Sequence, residues 1–395
     1  LPETRSAVGE PEQKHLFNGD LLIDETDRTT AEKLYANIYH VLDHPELRET
    51  FSDYNTKAET AKKRVNRLGL AAVSLATLAL LSSALTPVLD IVSGSDVGPN
   101  QTALTTLLKG VHWLLFLGEC AGLVGSTIAV GGLLLANKKK EWLEHRYLAE
   151  MLRQWHFQYL IFRGKEIEDS CNSSDPETAK KTFCNLRNAQ FSAFKAKLEN
   201  NREALVQALR KHPEAGYQWL HEPRSSYSDE SKVLEKVFEA YEELRFNHQA
   251  LYAGLKLLEE TRSLMPLKWP AQVMQRRCEA FTSICLASSL IISLAIVISR
   301  LAGGSDVLLA SLSGAIVSLM ILTVSVRAVQ DGLAVPEETQ RYNDLAGKVR
   351  YLRTMFTATE NQQKKLRAME EMERAALEEL KGFLRSYYEA RFIVA

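Results

Sequence analysis

The chain has 395 residues, with 48 Lys and Arg against 49 Asp and Glu, so its formal net charge is −1. That balance excludes a nucleic-acid binder working through bulk positive charge. Hydrophobic residues make up 46% of the chain and charged residues 25%. The apolar residues gather in four blocks separated by strongly polar stretches, which excludes both a single soluble core and a disordered chain.

Residues 1–55 read as a polar segment. Residues 1–30 lack the apolar run of a signal peptide, and a chain opening on Leu1 and Pro2 is expected to be a processed product or the C-terminal part of something longer. A helix is expected at about 29–44: Thr29-Thr30-Ala31-Glu32 has the form of a capping box, and Leu34, Ile38 and Val41 follow at helical spacing. Residues 56–165 read as a first membrane hairpin. A second capping box, Thr56-Lys57-Ala58-Glu59, leads into 22 uncharged residues, Leu68–Leu89. Gly110–Ala136 then supplies 27 residues interrupted by His112 and Glu119. The following helix carries Trp142, Tyr147, Trp155, Phe157 and Tyr159, the density of a packed seam.

Residues 166–265 read as a cytoplasmic helical segment. Cys171–Lys180 has loop composition, and Phe191–Arg210 reads as a helix ended by His212-Pro213. Leu234, Val237, Tyr241, Leu244, His248, Leu251, Leu255 and Leu258 alternate at spacings of 3 and 4, a heptad seam. An oligomerising coiled coil and a seam packed on helices of the same chain both fit; the shortness of the run favours the second. His248 is read as a hydrogen-bonded structural residue, with a pH switch as the alternative. Residues 266–395 read as a second hairpin, with 20-residue apolar runs at Ala280–Ser299 and Val307–Val326, then a long helix over Thr354–Arg391 whose apolar side is Leu366, Met369, Leu377, Leu380, Phe383 and Tyr387.

A spanning helix needs about 20 mostly apolar residues. The expected fold is therefore an all-α integral membrane protein, with spans at about 68–89, 110–136, 280–299 and 307–326 forming two hairpins with long cytoplasmic helices. Lys57, Lys62, Lys63, Arg64 and Arg67 precede the first span and Lys138, Lys139, Lys140, Arg146 and Arg153 follow the second, whereas residues 90–109 hold only Lys109. Arg276, Arg277, Arg327 and Arg341 flank the other pair, whose connection has only Arg300. By the positive-inside rule both hairpins point outward, leaving both termini in the cytoplasm. The hairpins read as copies. Gly94-Ser95-Asp96-Val97 recurs as Gly304-Ser305-Asp306-Val307, and Leu148-Ala149 through Arg153 recurs as Leu345-Ala346 through Arg350. The offsets of 210 and 197 are reconciled by 13 extra residues, 98–110, in the first copy. Gly-Ser-Asp suits a turn whose Asp caps the next helix.

Catalytic signatures are missing. No phosphate-binding glycine loop, dinucleotide fingerprint, zinc-protease motif or nucleophile elbow occurs, the five cysteines form no pattern, and the nine histidines are scattered. The expectation is a non-enzyme without metal or cofactor. Glu119 is the unusual residue, because a charged side chain in hydrocarbon costs about 2.5–3.5 kcal/mol on insertion scales. It reads either as an intramembrane acid lining a pore or as an acid that snorkels or pairs with His112 or Lys109. Gly118, Gly122 and Ser126 form a small-residue face for helix packing, with Gly314 and Ser318 the next such face.

A basic-flanked hairpin, a helix with Arg146, Ala149, Glu150 and Arg153 before an aromatic run, and a distal helix with Met372-Glu373-Arg374, Phe383-Leu384 and Arg391-Phe392 resemble the SLATT family, two-transmembrane effectors of bacterial nucleotide-signalled defence. Tyr54-Asn55-Thr56-Lys57-Ala58 is similar as well, and Ala346 and Arg350 repeat part of the helix motif, with Gly347 in place of the acid. The resemblance implies a homo-oligomeric effector in the inner membrane that forms a pore or disrupts the bilayer, switched on by an upstream nucleotide-sensing domain or protein. The alternatives are a regulated ion channel or transporter with a layout similar to CorA-type magnesium channels, though lacking their Gly-Met-Asn tripeptide, and a scaffold that docks a cytoplasmic partner. The implied partners are lipid and further copies of the chain, not nucleic acid.

Overall fold

A computed structural model of the chain describes residues 17–94, 111, 113, 116–118, 120, 122, 124, 132–211, 220–221, 224–258 and 269–392. It is all-α. Among the described residues there is no strand; a single bridge, Arg163 to Ser225, is the only β-type pairing. The helices are α1 (Glu25–Leu34), α2 (Tyr39–Leu42), α3 (Pro45–Gly94), α4 (Gly132–Phe162), α5 (Gly164–Asn172), α6 (Pro176–Lys211), α7 (Lys232–Tyr241), a π-helical turn (Glu242–Asn247), α8 (His248–Leu258), α9 (Ala271–Leu301), α10 (Asp306–Gly332), α11 (Val335–Thr357) and α12 (Gln362–Glu389).

These elements group into two compact units that interleave along the chain instead of following consecutive segments. Unit 1 comprises residues 1–56, 146–255 and 343–381; unit 2 comprises residues 57–145, 256–342 and 382–395.

Several expected boundaries move. The helix expected at 29–44 begins at Glu25 and stops at Leu34. Thr29 and Thr30 do not cap it: their hydroxyls donate to the carbonyls of Glu25 and Thr26, four residues back, as interior helical residues do. Leu34 is exposed, while Ile38 and Val41 are buried. The second capping box is also interior, because α3 starts at Pro45, where proline's missing N–H costs nothing, and runs unbroken past Thr56. The loop expected at 171–180 shrinks to residues 173–175, with Thr178 N–H donating to Asp175 at the start of α6. The helix expected over 354–391 is divided at residues 358–361, and Met369, Leu377, Leu380, Phe383 and Tyr387 on its far side are buried.

Three helices, α3, α9 and α10, are long and apolar enough to cross a membrane. The span expected at 110–136 lies largely outside the described residues. On α9, Leu290, Ile291 and Leu294 are 73%, 69% and 61% exposed. Faced with water, such a run would forfeit about 25 cal/mol for each Å² of apolar surface left uncovered, and soluble proteins avoid contiguous patches of this kind. The hydroxyls of Thr77, Ser82, Thr86, Ser289, Ser293, Ser311, Ser318, Thr323 and Ser325 all donate to the carbonyl four residues back, which satisfies them without water.

Candidate functional site

Within unit 2, small residues set how closely the apolar helices approach. Residues 118 and 122 are helical, and both glycines are buried. A Cβ on Gly118 would overlap Ser82 of α3, and one on Gly122 would overlap Ala79. These two glycines therefore pack within the chain, against the helix they follow in sequence. Gly314 of α10 likewise leaves room for Val88 of α3, its Cβ position falling 2.6 Å from the Val88 side chain. Ser318 is half-buried, one turn further on. The hydroxyl oxygens of Thr77 on α3 and Ser325 on α10 lie 2.6 Å apart. The two pairs, 77 with 325 and 88 with 314, run in opposite directions along the chain, so α3 and α10 are antiparallel. The tight connection of α9 to α10 uses Gly303 at φ +71°, and Ser305, not Asp306, caps α10 by accepting from Leu308 N–H. His112, Glu119 and Ser126 lie outside the described residues.

Unit 1 holds a buried chain of charges. Glu373 on α12 is 0% exposed, and Arg245 in the π-helical turn meets it as a fork, Nε to Oε1 and Nη2 to Oε2 both at 2.8 Å. The Tyr241 hydroxyl donates to the same carboxylate at 2.6 Å. Arg245 also reaches Asp20 at 3.4 Å, and Arg153 of α4 lies 2.8 Å from Asp20 through its Nε. Arg153 Nη1 grips both oxygens of Glu150 at 2.7 Å, and Arg146 closes on Glu150 at 2.6 Å while donating to Asn55 at 3.4 Å. Phe51 and Phe157 lie against the Arg153 and Arg245 guanidinium groups. Gln249 and His248 complete the surround of Asp20, at 3.5 and 3.7 Å.

Three guanidinium groups thus face three carboxylates. That balance is what a low-dielectric interior demands of buried ions. Burial alone would raise the Asp20 carboxyl; Arg153, His248 and Arg245 overcome this and hold it at about 2. For Glu150, Arg146 and Arg153 outweigh burial and lower the carboxyl. Asp20 is fixed from its own side as well. Asn18 and Gly19 donate backbone N–H groups to Asp27, and Phe17, Leu21 and Leu22 of the same segment are buried. Leu22 holds φ +50°, a left-handed conformation that a leucine adopts only when packing imposes it.

Arg146, Glu150 and Arg153, drawn from the resemblance, are brought together, and Ala149 is fully buried beside them. Their counterparts are not: Ala346 is half-buried, Arg350 is exposed, and Gly347 faces open space. Asp20, Arg245 and Gln249 carry no local motif and were missed. Only their contacts across more than 200 residues of sequence, invisible in one dimension, identify them.

The heptad seam holds only in its first half. Leu234, Val237, Tyr241 and Leu244 are buried, but Leu251 and Leu255 are 37% and 44% exposed, with Ala253 and Leu257 buried in their place. The π-helical turn is the cause. It spends extra residues per turn and so rotates the following helix away from the heptad phase. The buried half serves contacts within the chain, Tyr241 with Glu373 among them. Leu258's side chain lies outside the described residues. Among the described residues no three His, Cys, Asp or Glu side chains are grouped to hold a metal ion. The five cysteines are free.

Comparison with protein-family models, with curated proteins and with solved structures finds no match.

Proposed function

We propose that this chain is a multi-pass membrane effector, a non-enzyme that forms a pore or disrupts the bacterial inner membrane when activated, arresting growth in antiphage defence. The observation that carries this reading is the α9–α10 hairpin, two apolar helices of 31 and 27 residues whose most apolar stretches are almost nowhere buried. A bilayer is the solvent such a surface requires. The resemblance of the Arg146, Glu150 and Arg153 helix to the SLATT family supports the effector class. The charge network supports regulation. It anchors the segment carrying Asp20, on which an upstream nucleotide sensor of the kind the resemblance implies would pull. Assembly into a homo-oligomer on activation belongs to the same proposal.

The test is controlled expression in a bacterial host carrying a potential-sensitive dye, followed by release of a quenched dye from liposomes holding the purified protein. Loss of membrane potential together with growth arrest and dye release is expected. Protein inserted at the same level with potential and growth intact would overturn the reading in favour of a scaffold. Steady ion-selective currents without growth arrest would move it to a regulated channel.

A further inference from the structure

One side chain in unit 2 occupies a position that the effector reading does not use. Phe392 lies three residues beyond the end of α12. Its ring is seated between Gly69, at the start of the apolar run of α3, and Gly332, the last residue of α10. A Cβ on either glycine would overlap the ring. The same ring packs on a cluster of Met274, Leu333 and Val335, joined by Trp269, Cys278 and Val329. One aromatic side chain thus touches the middle of α3, the first turns of α9, the end of α10 and the start of α11. The backbone behind it is held by Lys139 of α4, whose Nζ donates to the carbonyls of Tyr388 at 3.0 Å and Ala390 at 2.6 Å. Those are carbonyls that the end of a helix leaves without partners. The turn beneath the ring is strained: Ala334, 2% exposed, sits at φ +50°, a conformation that persists only where surrounding contacts impose it.

We propose that Phe392 is a latch: its ring, wedged between Gly69 and Gly332, pins the basic-flanked start of the apolar run of α3 to the end of α10, and its withdrawal lets them part. Glycine at both positions is what the latch requires, since any side chain there expels the ring. Lys139 sets the latch by holding the chain that carries it. As a restraint on helix ends the latch stands without the effector reading. Its use as the gate of a membrane breach rests on that reading, so the two are measured separately.

Cys278 is the reporter. It is half-buried against the same cluster, and that cover slows its reaction with maleimide. In full-length protein with Cys120, Cys171, Cys184 and Cys285 replaced by alanine, Phe392→Ala is expected to speed Cys278 labelling about tenfold, the order that follows when a large half-buried apolar side chain no longer opposes opening. Gly69→Ala and Gly332→Ala should do the same with Phe392 intact. Gly347→Ala, where a Cβ meets nothing, should leave labelling unchanged. The deciding comparison is the double variant Gly69→Ala/Phe392→Ala. With the ring gone the extra methyl has room, so the double should label no faster than Phe392→Ala alone. Additive effects, or glycine variants that label at the parental rate, would overturn the latch. Dye release from liposomes is read in parallel. Faster labelling with release supports both proposals. Faster labelling without release keeps the latch and removes its role in breaching the bilayer.

Discussion

Arg245 and Glu373 show what a buried ion pair demands of its neighbours. Both are essentially inaccessible, and each supplies the hydrogen bonds that the other cannot obtain from water. Removing one member leaves a charge without compensation, at a cost of about 3–5 kcal/mol, whereas replacing both by apolar side chains of similar volume is often neutral. Arg245→Met is therefore expected to destabilise unit 1 by about that amount, and Arg245→Met/Glu373→Leu to recover most of it. Urea titration followed by tryptophan fluorescence measures both; a double variant as unstable as the single one would mean the pair is worth more than its burial explains. Titration tests the same interior. Burial is the largest cause of depression for four histidines of unit 1: from an ordinary 6.5, His40 and His221 fall to about 4, His156 to about 3 and His44 to about 2. In that window the unfolded chain binds more protons than the folded one, so stability rises with pH up to about 6.5 and is lost as pH falls below it. The thermal midpoint should be flat from about pH 7 to 8 and fall steadily from about 6.5 to 4.5, before Asp20 contributes. Trp155 reports it directly, with the His44 and His221 rings 5.6 and 4.9 Å from its own. A midpoint independent of pH in that range would show these rings to be hydrated.

Single elements show where sequence periodicity is sufficient and where it fails. The apolar runs of α3, α9 and α10 were legible because the rule a spanning helix must meet, about 20 successive apolar residues, is read in one dimension, and the buried side of α12 because its helical spacing is unbroken. The second half of the seam was not legible: a π-helical turn has no composition of its own, and one rotation of phase sends Leu251 and Leu255 outward. Leu244→Ala should cost about 2–5 kcal/mol, while Leu251→Ser and Leu255→Ser should change stability by less than about 0.5 kcal/mol. Equal losses at all three positions, or a change of mass in solution for the serine variants, would restore an oligomerising coil. The glycine face was legible as a packing face but not in its partner, since Gly-x-x-x-Gly spacing is the same whether the opposing helix belongs to this chain or to another. Because Gly122 faces Ala79, Gly122→Leu should weaken the purified protein by about 1–3 kcal/mol independently of its concentration. A loss that vanishes on dilution would return the face to assembly.

For the whole molecule the decisive asymmetry is where the cations stand relative to the apolar helices. The α9–α10 hairpin carries Arg276 and Arg277 before its apolar run and Arg327 after it, while its connection has only Arg300. Each Lys or Arg is held to an anionic cytoplasmic surface by about 1 kcal/mol, and carrying one through hydrocarbon costs more. The hairpin tip should therefore lie outside, and the polar ends inside. Reporter fusions at Gly304 are expected to read as external, and fusions at Ser174, Glu230 and Glu360 as cytoplasmic. Replacing Arg276, Arg277 and Arg327 by Gln while placing two lysines at Ala302 and Ser305 should invert or scramble the Gly304 reading, because with Arg300 the tip would then carry the hairpin's excess of basic residues. A cytoplasmic reading at Gly304 in the parent chain would mean that α9 and α10 do not cross the bilayer. Their exposed leucines and isoleucines would then need cover from another copy of the chain, and the breach proposed for the membrane would have to be built from α3 and the helix that carries Gly118 and Gly122.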